Sequence, residues 1–249
     1  MINYPLISII TVSFNSEKTI KRTIESVLNQ SYDNYEYIII DGGSKDNTLE
    51  IIKSYQDKFI QKGIRYHFIS EKDKGIYDAM NKGIALSQGD IVGLINSDDY
   101  YSENALQVVA DSYLKDDFDV FYSTIALVYS DGKIRIKKAK NKKYMTSRHW
   151  NHPTTFIRGD IYRSHQFICH GLYDDYELIL RLKKEGYKFV VGNKVIAYFS
   201  CEGVTHNNRS FKKMRSLIKE RYYIYRKNGY SKFYIFEIIL IELLKFILG

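Results

Sequence analysis

A chain of 249 residues that is 45% apolar can bury the core of one large α/β domain plus a small appendage, which excludes a disordered tail and a disulfide-stapled mini-protein. The formal charge of +8 implies an anionic partner, and the phosphates of a nucleotide, a membrane or a nucleic acid all qualify. Cys169 and Cys201 lack the spacing of a metal site or a disulfide framework and read as thiols of a reducing cytosol; with no charged leader or cleavage site, no signal peptide is expected.

Strand and helix patterns alternate through the first half. Leu6–Ser13 is rich in β-branched residues and reads as a strand. A helix is predicted over Glu17–Asn29, where Ile20, Ile24, Val27 and Leu28 share a face. A strand over Tyr35–Ile40 precedes a helix over Asp46–Tyr55, with Ser44 or Asp46 placed to cap it. Then come a strand at Ile64–Ile69, a helix at Ile76–Leu86, a strand at Asp90–Ile95 and a helix at Ser102–Leu114 with Ser102 as N-cap. This order predicts a Rossmann-like, mostly parallel sheet flanked by helices, with ligands beyond the carboxyl ends of the strands. Polar residues obey that rule: Ser13 and Asn15, then Asp41, then Asp73, then Asn96-Ser97-Asp98-Asp99 each follow a strand.

The second half is less regular. Val120–Val128 and Lys133–Ile136 flank the hairpin signal Ser130-Asp131-Gly132. A further strand begins within Asn151–Phe156, a helix covers Asp174–Lys184, and short strands cover Phe189–Val191 and Val195–Phe199. The character changes near Thr205, giving a division into a domain over 1–204 and a tail over 205–249. A basic, Tyr-rich helix runs to Asn228-Gly229, where Glu220 alone opposes its cations. An apolar helix over Phe233–Leu248 carries Glu237, Glu242 and Lys245 on one side. It is shorter than the roughly 20 residues needed to span a bilayer and fits an in-plane helix on a membrane surface, the alternative being packing on the domain or in a homodimer.

Asn96-Ser97-Asp98-Asp99 is the most informative stretch. Two adjacent carboxylates at the end of a buried strand cost several kcal/mol unless a cation or hydrogen bonds compensate. Hard oxygen ligands suit Mg2+ or Mn2+, which tend to hold a phosphate, so the pair points to a nucleotide–metal site.

The segments ISIITVSFNSEKTIKRTIESVLNQSY, EYIIIDGGSKDNT, SEKDKGIYDAMNKGI, GDIVGLINSDDYY, His152-Pro153 and YDDYELILRLKKEGY occur in that order. Together they resemble the family 2 glycosyltransferases, inverting nucleotide-sugar enzymes of GT-A fold, from Ile7 to about Val204. The resemblance implies an α/β GT-A sheet with a C-terminal helical extension. It implies that Asp41 receives a hydrogen bond from a uracil base, and that Thr11, Ser13 and Asn15 lie beside base and ribose. It also implies that Asp73, Asp78 and Asn81 serve the nucleobase, the diphosphate and the floor of the sugar site. Asp99 becomes the direct ligand of Mn2+ or Mg2+, and Asp98 binds ribose hydroxyls or the metal. Asn96 departs from the commoner Asp, which leaves the metal fewer charges. Asp175 becomes the base that deprotonates the acceptor, with His152 on the acceptor side. A lone His is more often structural than a ligand, and His206 is open to either reading, structural or a metal contact from a C-terminal loop.

On this reading the partners are a nucleotide-sugar donor, of UDP type, and a saccharide or lipid-linked acceptor for a hexosyl or N-acetylhexosaminyl group. The setting is cell-surface polysaccharide or glycolipid assembly on the cytoplasmic face of the membrane, with no nucleic acid. Two other classes compete. A nicotinamide-dependent oxidoreductase would need a glycine-rich first turn, where SFNSEKT stands instead. A nucleic-acid-binding module explains the basic tail but leaves the carboxylate rim facing phosphate without a metal.

Overall fold

A computed structural model describes residues 4–142, 146–201 and 210–248. In chain order the first half holds β1 (Ile7–Ser13), α1 (Ile20–Leu28), β2 (Tyr35–Asp41), α2 (Thr48–Ser54), α3 (Gln56–Gln61), β3 (Arg65–Ser70), α4 (Ile76–Leu86), β4 (Ile91–Asn96), β5 (Tyr100–Tyr101) and α5 (Ala105–Asp116). The second half holds β6 (Val120–Val128), β7 (Ile134–Lys137), β8 (Phe156–Arg158), α6 (Gly159–Ser164), α7 (Asp174–Glu185), β9 (Phe189–Ser200), α8 (Phe211–Lys227) and α9 (Tyr234–Leu248).

These strands form a nine-stranded sheet of order β3-β2-β1-β4-β8-β6-β9-β5, with β7 on β6. The first four are parallel, because helical crossovers return the chain to the same edge each time. β8 runs antiparallel to both β4 and β6, and β9 runs parallel to β6, so the second half makes the sheet mixed. Alternation along the strands divides the core. Ile9, Ile39 and Ile91 face α1, α2 and α5, whereas Ile10, Ile38 and Val92 face α4 and α7.

The departures from the sequence pattern have local causes. The helix expected from Glu17 starts at Ile20, since Glu17 is tied across to the next loop: its amide donates to Asp46 and its carboxylate accepts from the Asn47 amide at 3.0 Å. Asp46 holds the start of α2 by accepting from the Thr48 amide and hydroxyl, although Asn47 occupies the N-cap. Ser102 is not the N-cap of α5; Asn104 is, because the unforeseen β5 extends the chain to Tyr101 before the helix begins. His152–Thr154 forms a 3₁₀ turn, and the strand is confined to Phe156–Arg158. Pro153 has no amide to give a ladder, and the Thr154 and Asn151 side chains bond Ser123 instead. The two short strands near the end merge into one β9, which absorbs its irregularity as a bulge opposite Tyr122–Thr124.

Helices α8 and α9 share the main core. Ile224, Tyr225, Tyr234 and Ile238 belong to the same buried cluster as Ile10 and Val92. Gly229 ends α8 with φ +69, and α9 folds back on it. Their contact is fixed by an ion pair, Arg221 to Glu242 at 2.7 Å, in which Arg221 is fully buried. Arg221 also donates to the Ser147 hydroxyl at 2.7 Å. Breaking such a pair strands one charge in the interior, so Arg221→Ala is expected to cost about 3–5 kcal/mol of unfolding free energy in urea titration. The double variant Arg221→Met with Glu242→Leu should recover most of that loss, because it removes both charges and keeps the volume.

Candidate active site

The carboxyl ends of β1 and β4, with the loop after β3, open onto a cleft of about 1330 Å³. Leu172 and Tyr173, which lead into α7, form part of its opposite wall; Met214 and Leu217 of α8 and Phe246 of α9 complete it. The site therefore sits where the parallel half of the sheet meets the mixed half and the C-terminal helices.

One end of the cleft pairs an aromatic ring with a carboxylate. Phe14 is 62% exposed and lines the cleft, where its ring can offer a stacking face. Asp73 meets it over Gly42: a Cβ on Gly42 would lie 2.5 Å from Asp73 Oδ2 and 3.4 Å from the Phe14 ring, so only glycine admits this approach. Ser13 and Asn15 line the same end. Asn15 is held at φ +49, its amide donating to Ser44 Oγ and its Oδ1 accepting from the Lys45 amide.

Four residues singled out from the sequence are engaged elsewhere. The buried Asp41 carboxylate accepts from the Ser13, Ser44 and Ser70 hydroxyls and from the Gly43 and Ser44 amides, which saturates it and makes it the fastener of the turn after β2. Thr11 is fully buried in β1 and accepts from the Tyr37 hydroxyl at 3.0 Å, so it does not reach the cleft. Asp78 accepts from the Lys74 amide and stabilises the first turn of α4. Asn81 clasps both the amide and the carbonyl of Phe167, pinning the segment between α6 and α7.

The Asn96–Asp99 segment forms the polar centre. Asp98 lines the cleft, and Arg22 holds its backbone carbonyl at 2.7 Å. Asp99 is fully buried behind it, with Oδ1 accepting from the Ser200 amide at 3.0 Å. Burial pushes both carboxyls above the usual range, Asp99 well above it, and the charge on Asp98 adds to the effect at Asp99. Asp99 Oδ2 and Asn96 Oδ1 are buried without a hydrogen-bond partner among the described residues. Two orphaned oxygens beside a cleft-facing carboxylate fit an oxygen-ligated divalent cation. Among the described residues no three His, Cys, Asp or Glu side chains gather into a metal cluster, so such a cation would draw further ligands from a bound phosphate. His206 lies outside the described residues.

Asp175 opens α7 behind Tyr173. Its Oδ1 accepts from the Tyr77 hydroxyl at 3.1 Å and from the Tyr176 amide at 2.7 Å, and its Oδ2 stands 3.4 Å from His152 Nδ1. Burial raises the Asp175 carboxyl above the usual range, with His152 the strongest opposing influence. Burial lowers His152 below its ordinary value, with Asp175 opposing. Asp174 accepts from the His170 and Gly171 amides and shapes the turn instead. His170 contributes its backbone here.

Two contributors escaped the sequence pattern. Tyr77 donates to both Asp175 and the Leu172 carbonyl, the latter at 2.9 Å, tying the carboxylate to a segment that lines the cleft. Glu220 of α8 accepts from the Leu172 and Tyr173 amides. The one signal for Glu220 is its isolation as an acid in a basic helix; Tyr77 carries none.

Residues 8–173, well over half of the chain, match the family described as Glycosyl transferase family 2. The chain belongs to this family. Asp175 and the C-terminal helices lie beyond the matched segment. Chondroitin synthase of Escherichia coli is 38% identical over 112 residues, which are 45% of this chain and 16% of that protein. The chain thus spans only a small part of that relative's length. Two solved structures share the fold. S. aureus TarS 1-349 in complex with UDP-GlcNAc has TM-score 0.66 and 18% identity over 96% of this chain and 73% of that one. The mannosyltransferase PcManGT from Pyrobaculum calidifontis, in complex with GDP-Man and Mn2+, has TM-score 0.70 and 13% identity over 99% and 71%. The glycosyltransferase is therefore a GT-A-like α/β protein.

The raised Asp175 carboxyl has a consequence for stability. A carboxyl whose pKa rises on folding stabilises the fold while protonated, and that contribution is lost as pH rises through the folded value. Asp175→Asn is therefore expected to raise Tm at neutral pH, and the gap should close in acid near the unfolded value of about 3.9. Thermal melts across pH check the sign.

Proposed function

We propose that this glycosyltransferase moves a hexosyl or N-acetylhexosaminyl group from a UDP-sugar to a hydroxyl of a saccharide or lipid-linked saccharide, with inversion. The setting is polysaccharide or glycolipid assembly at the cytoplasmic face of the cell membrane. One observation carries the reading: a single cleft is lined by Asp98, with the buried Asp99 behind it, and also by the Leu172–Tyr173 segment that leads directly to Asp175. The names of the relatives agree with it, a polysaccharide synthase among sequences and nucleotide-sugar complexes among structures.

In this reading Phe14 gives a stacking face for the base, and Ser13, Asn15 and Asp73 give polar contacts to base and ribose. Asp98 and Asp99, with Asn96 beside them, would hold Mg2+ or Mn2+, which when bound neutralises charge on the diphosphate. Asp175 takes the proton of the acceptor hydroxyl as that oxygen bonds to the anomeric carbon. The bond from that carbon to the phosphate oxygen breaks, its electron pair leaves with the nucleoside diphosphate, and attack from the opposite face inverts the centre. An anionic Asp175 close to the oxocarbenium-like transition state also stabilises its charge. Tyr77 and His152 hold the carboxylate in place.

The test separates donor binding from chemistry. UDP with Mn2+ should raise Tm of the wild-type protein, and Asp98→Ala should abolish the rise; no shift in the wild type refutes the nucleotide reading. Asp175→Asn should keep the shift and lose about 100- to 10,000-fold in transfer, measured as UDP release with acceptor present.

His152 gives an independent check. It is the neighbour that most favours the charged form of Asp175, so His152→Gln should move the acidic limb of the kcat–pH profile to higher pH. An unmoved limb would detach His152 from the base.

A further inference from the structure

Helix α9 is apolar on both sides: Tyr234, Ile238 and Ile241 are buried in the core, yet its outward face is apolar too. Between positions 210 and 248 the acids are Glu220, Glu237 and Glu242, and all three turn inward. Glu242 is 4% exposed and holds Arg221 and Lys245. Glu220 accepts from the Leu172 and Tyr173 amides. Both Glu237 oxygens are buried. The outward face of α9 is instead apolar: Phe236 is 69% exposed and Leu240 56%, flanked by Ile239, Leu243 and Leu244, with Phe233 just before the helix. The exposed charges around it are cations, among them Lys212, Arg215, Lys219, Arg226, Lys227 and Lys232.

A surface helix in water puts its charges outward and its apolar stripe on the core. Here the carboxylates of the two helices turn inward, Glu237 without a hydrogen-bond partner among the described residues, and the exposed outer side chains combine an apolar ridge with cations. No helix among the described residues is long and apolar enough to cross a membrane. A helix of this kind lies in the plane of a bilayer, apolar ridge among the acyl chains and cations among the headgroups. A second copy of the chain would set the same cations against each other, and a nucleic acid would leave the ridge in water.

We infer that the α8–α9 pair is a docking surface for an anionic bilayer. The inference deepens the function proposed above by naming the partner of the C-terminal helices, and docking itself does not depend on the chemistry. One consequence does rest on that reading. Met214, Leu217 and Phe246 of the same helices line the cleft, so docking brings the cleft to the headgroup layer, where a lipid-linked acceptor presents its sugar.

Flotation of the full chain tests it, with vesicles of phosphatidylcholine alone or mixed with phosphatidylglycerol, and no donor present. The protein should float with the anionic vesicles and be released by high salt. The double variant Leu240→Glu with Leu243→Glu should lose about tenfold or more in bound fraction, while its melting temperature and its UDP–Mn2+ shift stay at the wild-type values. The charge reversal Lys219→Glu with Arg226→Glu should weaken flotation on anionic vesicles only. Failure of the wild type to float, or equal flotation of the leucine variant, overturns the inference. So does light scattering that shows a stable dimer which the leucine variant dissolves, since the ridge is then a protein interface. Flotation without any UDP–Mn2+ shift would instead sink the transferase reading and leave the docking surface standing.

Discussion

The desolvation of carboxylates is the constraint on which this structure turns. A carboxylate taken out of water must find donors or a cation, or it gives up its charge. Several of the buried acids here are compensated in full. Glu36 is met by Arg65, the Ser8 hydroxyl and the Gln88 amide, Asp41 by three hydroxyls and two amides, and Glu242 by Arg221 and Lys245. Asp99 is a contrast, with one oxygen paired and the other, like Asn96 Oδ1, without a hydrogen-bond partner among the described residues. The compensated acids build the fold. The Glu237 oxygens also lack a hydrogen-bond partner among the described residues, and what sets Asp99 apart is its place directly behind the cleft-lining Asp98.

The same logic joins the C-terminal helices to the chemistry. Arg221 lies under the ring of Tyr173, 5.5 Å from its centroid, and Glu220 takes the amides of Leu172 and Tyr173. The segment leading into Asp175 is thus held from one side by α8 and from the other by Tyr77 of α4. In the proposed reaction the carboxylate that collects the proton needs a fixed position more than a free one, and these contacts supply it. Spending the acids of α8 and α9 inside also leaves their outer surface cationic and apolar, so one arrangement both stiffens the site and shapes the exterior.

Much of the fold was legible because its first half is written in local periodicities. Ile20, Ile24 and Val27 recur at helical spacing, and the apolar run ending at Ile95 reads as a buried strand; both stand as read, as does α4 over Ile76–Leu86. The illegible parts are short or depend on distant partners. β5 is two residues long and exists because β9 lies beside it. The 3₁₀ turn at His152–Thr154 is held by side-chain bonds to Ser123 across the sheet. The candidate site divides the same way. Asp98 and Asp73 follow strands and line the cleft, whereas Asp41, which also follows a strand, is consumed by hydroxyls from three separate segments.

The sequence by itself determined the family, the βα alternation and the short run of carboxylates after β4, because each is a pattern of neighbours along the chain. Tertiary structure alone decided which carboxylates are fully paired and which keep an unpaired oxygen, since that depends on donors brought from far away. It also decided the rotation of α9. The positions of Glu237 and Glu242 define one charged side, but whether that side meets water or protein was set by the single buried arginine of α8 that draws it inward.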